Sequence, residues 1–188
     1  MPPRLTAFAL IAAACAPPAP KDVPGNPIEA DSAAPQNLDP VDLVVPTDWK
    51  ALPQADDPYP SHRPDIVDCD PAGWHEEAGV LEVETNVCPY ANLLQPTRAA
   101  IQTGDTLSLL TYHSALSAVD EPAEAHLAVL VDGDPIFDRI IPIPSASEIY
   151  DHEFTAQRDI PAGSPVVLHV HNHGGNAWKL AHLKRASD

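Results

Sequence analysis

The chain has 188 residues, of which 23 are Pro and only 3 Phe, 3 Trp and 4 Tyr, and its formal net charge is −17. So acidic a chain lacks the basic surface that a phosphate backbone requires, which excludes nucleic acid as a partner. Fourteen of the prolines precede Asp65 and nine follow it, so the material for a packed core lies in the later part, about 120 residues, an ordinary domain size.

The amino terminus carries one positive charge at Arg4, then a ten-residue apolar run from Leu5 to Ala14, then Cys15. A charged start, a short apolar stretch and small residues at the cut are the layout of an export signal, and the run is too short to span a bilayer. Residues 1–14 therefore read as a signal peptide. Ala12, Ala13, Ala14 and Cys15 resemble the lipobox of bacterial lipoproteins, with Ala12 standing where Leu is usual. The resemblance implies acylation of Cys15, and Ala16 is not the Asp that holds many relatives at the inner membrane. The expectation is an outer-membrane lipoprotein facing the periplasm or the cell surface, anchored in the membrane by its N-terminal lipid. Cleavage after Ala14 to release a soluble secreted protein is the alternative.

Residues 15–65 read as a tether. From Ala16 to Asp65 there are 12 prolines and nine acids against three bases, Lys21, Lys50 and Arg63. Like charge and low hydrophobicity leave such a segment unable to offset its ordering entropy, so mostly disordered chain is expected. As polyproline II it would reach on the order of 100 Å. Val41 to Lys50 is the exception, apolar enough to dock as an edge strand.

From residue 66 to 186 short strands alternate with turn formers. Val80–Thr85, Thr106–Tyr112, His126–Val131, Ile136–Ile141, Val166–His173 and Ala177–Leu183 read as strands, and turn residues such as Asp132 to Pro135 and Gly174 to Asn176 punctuate them. Pro96–Ile101 and Asp120–Ala125 look locally helical. Such grammar points to an all-β antiparallel sandwich. Cys69 and Cys88 are the natural pair once Cys15 is lipidated, and in an oxidising compartment they are expected to form a disulfide. Two free buried thiols are the alternative. The run Leu81 to Thr85, Cys88-Pro-Tyr90, the Gly104-Asp105 pair and the late basic-aromatic strand resemble galactose-binding-like jelly-roll domains. The resemblance implies a jelly-roll-like sandwich that binds sugars or proteins through loops at one end, with no family binding residue carried over.

The most unusual stretch is His169 to Trp178. In a strand His169, His171 and His173 would point the same way, and neighbouring imidazoles of such a row can share one ion. His113, His126 and His182 lie on or beside other strands and complete the candidate ligand set. Imidazoles without thiolates suit Zn or Cu(II). The competing reading is structural, with imidazoles bonding the Gly-Gly turn or lining a half-exposed face, and Asn172 and Asn176 serving turn geometry. Gly163 with His169 and His171 imitates the opening of the cupin motif but lacks its Glu. His173-Gly-Gly has no Gly-x-Ser-x-Gly elbow to accompany it. Glu82 and Glu84, with Glu76 and Glu77 before them, read as a solvated acidic face rather than a glycosidase pair, and Asp132-Gly133-Asp134 as a hairpin turn rather than a Ca²⁺ loop. The reading is a membrane-tethered, extracytoplasmic, non-catalytic binding module for a carbohydrate or protein ligand. Its alternative is an exported Zn- or Cu-binding protein, extending to a metalloenzyme, built on the His row.

Overall fold

A computed structural model describes residues 40–120 and 122–186; the signal segment, Cys15 and the tether up to residue 39 lie outside the described residues. Eleven strands appear in chain order: β1 Val41–Asp42, β2 Lys50–Ala51, β3 Trp74–Glu77, β4 Val80–Glu84, β5 Tyr90–Pro96, β6 Thr106–His113, β7 Ala123–Val131, β8 Asp134–Ile143, β9 Glu148–Thr155, β10 Pro165–Asn172 and β11 Ala177–Arg185. They form two antiparallel sheets. One has the order β3-β4-β11-β6-β9, with β1 continuing along β11, and the other has the order β2-β5-β10-β7-β8.

The pairing explains the architecture. β4 pairs with β11, β5 with β10, β6 with β9 and β7 with β8. Eight strands are thus one long antiparallel hairpin, rolled so that successive pairs fall in alternate sheets. That wiring is a jelly-roll sandwich. Inward-facing residues such as Leu81, Leu109, Val129, Leu168, Val170 and Leu183 are essentially fully buried between the sheets, and each such side chain contributes roughly 1.5–3 kcal/mol. At the tip of the roll, Asp132 and Gly133 both have positive φ, 52° and 85°, the two-residue turn that matches strand twist. Arg158 clamps that turn through Asp132 and Asp134, so these carboxylates serve the hairpin.

Three sequence readings are corrected. Neither Pro96–Ile101 nor Asp120–Ala125 is helical: Pro96 ends β5, and β7 begins at Ala123. Pairing overrides local propensity because the backbone of Ala125 lies between two strands. Three strands have no counterpart in the apolar runs: β3, at the edge of the six-stranded sheet, β5 and β9. In β5 the buried Asn92 and Gln95 disguise a core strand, and the Gln95 amide accepts from the Val45 N–H and donates to its carbonyl. β9 is an edge strand with Tyr150, His152 and Phe154 on its half-buried side and acids on the other. Finally, Glu82 is not a solvated acid. It is buried, with its carboxylate 3.1 Å from the Lys179 ammonium that also meets Glu77; burial and the Glu77 carboxylate push the Glu82 carboxyl up.

The domain also begins earlier than composition places it. β1 docks on β11, as the apolar run suggests, and β2 pairs with β5. Residues 53–65, with 3-10 turns at Gln54–Asp56 and Pro60–His62, then pack on the five-stranded sheet. Their prolines are no obstacle, because a segment lying on a sheet face has no ladder of N–H groups to supply. Cys69 and Cys88 are disulfide-bonded and hold the far end of this strap.

Candidate functional site

In register, the solvent side of the five-stranded sheet carries two rungs. Asn92, His169, Ala128 and Asp138 form one, and Tyr90, His171, His126 and Ile140 form the next. Successive residues of β10 alternate faces, so Leu168 and Val170 enter the core while His169 and His171 stand outside it. Outside does not mean exposed here, because the strap roofs the first rung.

The roof is fixed by a polar network. The Asp57 carboxylate accepts from the Tyr90 hydroxyl at 2.8 Å, from the Tyr59 N–H at 2.9 Å and from Arg63 at 3.0 Å. Burial alone would raise the Asp57 carboxyl, but these donors outweigh it and hold it below the usual range. The Tyr59 hydroxyl donates to Asp138 at 2.8 Å, and its ring lies 4.5 Å from that of His126 and 4.6 Å from that of His169. Burial and the adjacent carboxylates raise both phenols, so they stay protonated as donors.

His169 is fully enclosed. Its Nδ1–H donates to the Asn92 side-chain carbonyl at 2.7 Å, and its Nε2 is buried without a partner. Burial, reinforced by the neighbouring His126 and His171, lowers it to about 3. His171 is half-buried and lowered to about 4 by the same desolvation and by His173. Both are therefore neutral at physiological pH. His126 donates from Nε2 to Asp138 at 2.9 Å, and its Nδ1 lies 3.3 Å from Nδ1 of His62.

Beside the roof, the strap's last 3-10 turn, the start of β7 and the end of β10 leave a cleft of about 180 Å³ lined by His62, Glu124, His126, Ile140, His171 and His173. Glu124 and His173 also line a larger, open cleft of about 600 Å³ with Asp120 and Pro142. The combined surface offers imidazoles, with His171 held neutral, two carboxylates, Glu124 and Asp120, and apolar walls. Such a surface recognises hydroxyl-rich or amide-rich groups by hydrogen bonding.

The structure divides the six histidines that the sequence singles out. His126, His169 and His171 come together, and His173 follows past the end of β10. His113 and His182 belong to the other sheet, where His113 lies between the Ser114 carbonyl and the Tyr150 hydroxyl and His182 meets Ser108. Among the described residues no three His, Cys, Asp or Glu side chains converge as a metal-ligand group. His62, Tyr59 and Asp57 were missed as site residues because they lie in the Pro-rich segment read as tether. The signal present was an aromatic and a base among prolines, Tyr59 to Arg63. Asn172 and Asn176 do hold the Gly174–Gly175 turn, Asn172 through Thr85 and the Gly174 carbonyl, Asn176 through Ser117. A Cβ on Gly174 would sit 1.9 Å from the Ser117 carbonyl oxygen, so only Gly fits.

No protein-family model and no curated protein matches the chain. Among solved structures it is similar to a CBM4 structure, with 17% identity over 62% of this chain and 87% of that one and a TM-score of 0.39. It is also similar to the N-terminal cellulose-binding domain of Cellulomonas fimi β-1,4-glucanase C, with 19% identity over 64% and 90% and a TM-score of 0.36. A third is CBM35 from Paenibacillus barcinonensis, with 11% identity over 79% and 98% and a TM-score of 0.34.

Proposed function

We propose that the chain is a non-catalytic extracytoplasmic binding module, held to the outer membrane by a lipid on Cys15, whose ligand is a neutral saccharide. The observation that carries the reading is the cleft itself. Imidazoles from the strap, β7 and β10 converge with Glu124 on one open surface, and the His171 ring is held neutral there, able to donate and accept at once. A sugar presents hydroxyls that need both roles and an apolar ring face that fits against Ile140. The Pro-rich segment after Cys15 would hold this face away from the bilayer.

The test is a glycan array probed with the purified full chain, alongside His171→Ala and Glu124→Gln. Binding to a defined neutral glycan that both variants weaken supports the reading. Glycan binding unaffected by both variants places the ligand elsewhere, and no glycan binding with capture of one specific protein makes the ligand a protein. Anchoring is tested separately: Cys15→Ser should abolish labelled fatty-acid uptake and move the protein from membranes to the soluble fraction.

A further inference from the structure

The contact between strap and sheet settles where two imidazoles carry their protons. His126 Nε2 lies 2.9 Å from an Asp138 oxygen. A carboxylate only accepts, so Nε2 bears the hydrogen and Nδ1 of neutral His126 is a lone pair. His62 Nδ1 meets that lone pair at 3.3 Å in a direct hydrogen bond. The donor is therefore His62 Nδ1–H, which leaves Nε2 of neutral His62 as an acceptor.

This chain of bonds is anchored at both ends. The other Asp138 oxygen accepts from the Tyr59 hydroxyl at 2.8 Å. Tyr59 caps the 3-10 turn Pro60–His62, and its carbonyl accepts from the His62 N–H at 2.9 Å. The tautomer imposed on His62 is the opposite of the Nε2–H form that a free histidine favours in water. His62 is exposed and lines the smaller cleft with Glu124. Among the described residues lining that cleft and the larger one there is no Lys or Arg, and the carboxylates of Glu124 and Asp120 accept only.

We propose that His62 is a specificity residue of the cleft: Tyr59, Asp138 and His126 hold its Nε2 as a fixed acceptor, which selects saccharides offering a hydroxyl hydrogen there and rejects those offering a carboxylate or sulfate. The ligand class rests on the saccharide reading; the tautomer does not. Tyr59, Asp138 and His126 are positioning residues, acting through His62. A hydroxyl donating to Nε2 contributes about three- to tenfold in affinity, the worth of one neutral hydrogen bond. A carboxylate or sulfate would instead set lone pair against lone pair, in clefts that already hold two carboxylates.

The first measurement needs no glycan. Nitrogen chemical shifts of the histidine rings are recorded on the full chain at about pH 8, above the ordinary imidazole range. His62 should show a protonated Nδ1 and a bare Nε2, His126 the reverse, and Asp138→Ala should return His62 toward the free-histidine pattern. Nε2–H at His62 in the wild type overturns the proposal. The second measurement is affinity for a neutral oligosaccharide from the glycan array, beside its uronate and sulfated counterparts. His62→Ala and His62→Asn should each lose about three- to tenfold, and His62→Gln, which returns an acceptor at the Nε2 position, should stay within about twofold of wild type. Rescue by Asn but not by Gln makes His62 a structural contact to His126 and overturns the selective role. The acidic counterparts should bind at least about tenfold more weakly than the neutral glycan, and equal binding overturns the selection. A silent array with His62 in the expected tautomer defeats the saccharide reading and still supports the fixed acceptor.

Discussion

The solvent side of the six-stranded sheet is held by ion pairs at its surface, with Lys179 between the exposed Glu77 and the buried Glu82 and Lys184 facing the exposed Asp42. The solvent side of the five-stranded sheet is roofed by residues 53–65, and the side chains beneath have lost their water. The two faces belong to one sandwich and follow the same alternation. They differ because, among the described residues, only the five-stranded face carries a covering segment, and that segment lies about 60 residues before β7 and about 100 before β10. Covering changes the chemistry: an imidazole that would titrate near neutrality on an open strand is held neutral, and a carboxylate becomes a structural anchor.

Removing the roof's anchor should have the largest effect. The Cys69–Cys88 bridge fixes the end of the strap, and the double variant Cys69→Ala with Cys88→Ala should lose about 3 kcal/mol in chemical denaturation, the value for a loop of about 20 residues. Native peptide mapping should recover the cross-linked pair, and full alkylation of both thiols in the folded protein would remove this anchor from the account. Next comes Asp57→Ala, which removes the acceptor of the Tyr59 N–H and of the Arg63 guanidinium and leaves the Tyr90 hydroxyl only the Tyr59 carbonyl at 3.1 Å. A cost of about 2–3 kcal/mol is expected, with new protease cleavage between residues 53 and 65. If stability falls by under about 0.5 kcal/mol, the roof is a loose attachment rather than part of the fold.

Acid separates the two faces without mutation. His169 titrates at 6.5 when unfolded and at about 3 when folded, so between those values the unfolded chain binds the extra proton. Stability is then full above pH 6.5 and falls as the pH drops, by up to about 1.4 kcal/mol per unit from this group. Asp57, held below its ordinary 3.8, adds a further loss only below that value. His171, lowered to about 4, adds a second such loss over the same range as His169. Denaturation in chelator from pH 7 to 4.5 should show the combined slope, and His169→Asn should reduce it by about half; an unchanged slope assigns the acid sensitivity to other groups. The smallest effect belongs to the open face. Lys184→Ala removes an exposed pair at 3.7 Å from Asp42 and should cost about 0.3 kcal/mol. A loss above about 1 kcal/mol would erase the contrast between the faces.

Sequence and structure agree most closely where the physics is local. Alternation in Val80–Glu84, the apolar run ending at Val131, and the Asp132-Gly133 turn each state their conformation within a few residues, and the fold follows them. The disulfide is legible too, because two cysteines in one domain leave little choice of partner. β5 is hidden because its polar residues, Asn92 and Gln95, bond groups far along the chain, the Asn92 carbonyl to His169 and the Gln95 amide to Val45. Of the candidate site, His126 and His171 are visible as residues but not as neighbours of His62.

The sequence by itself determined an acidic chain with a proline-rich front, an all-β domain, its cysteine pair and the two-residue period that sets His169 and His171 on one face of β10. Those are properties of composition and of strand geometry, which act over a few residues. Only the tertiary structure decided that this face is covered, that Asp57, Tyr59 and Arg63 are its cover, and that His62 meets His126 while His113 and His182 stay on the other sheet. A period of two fixes which side a residue takes. Whether that side meets water or protein depends on contacts between distant segments, and only the packed chain specifies them.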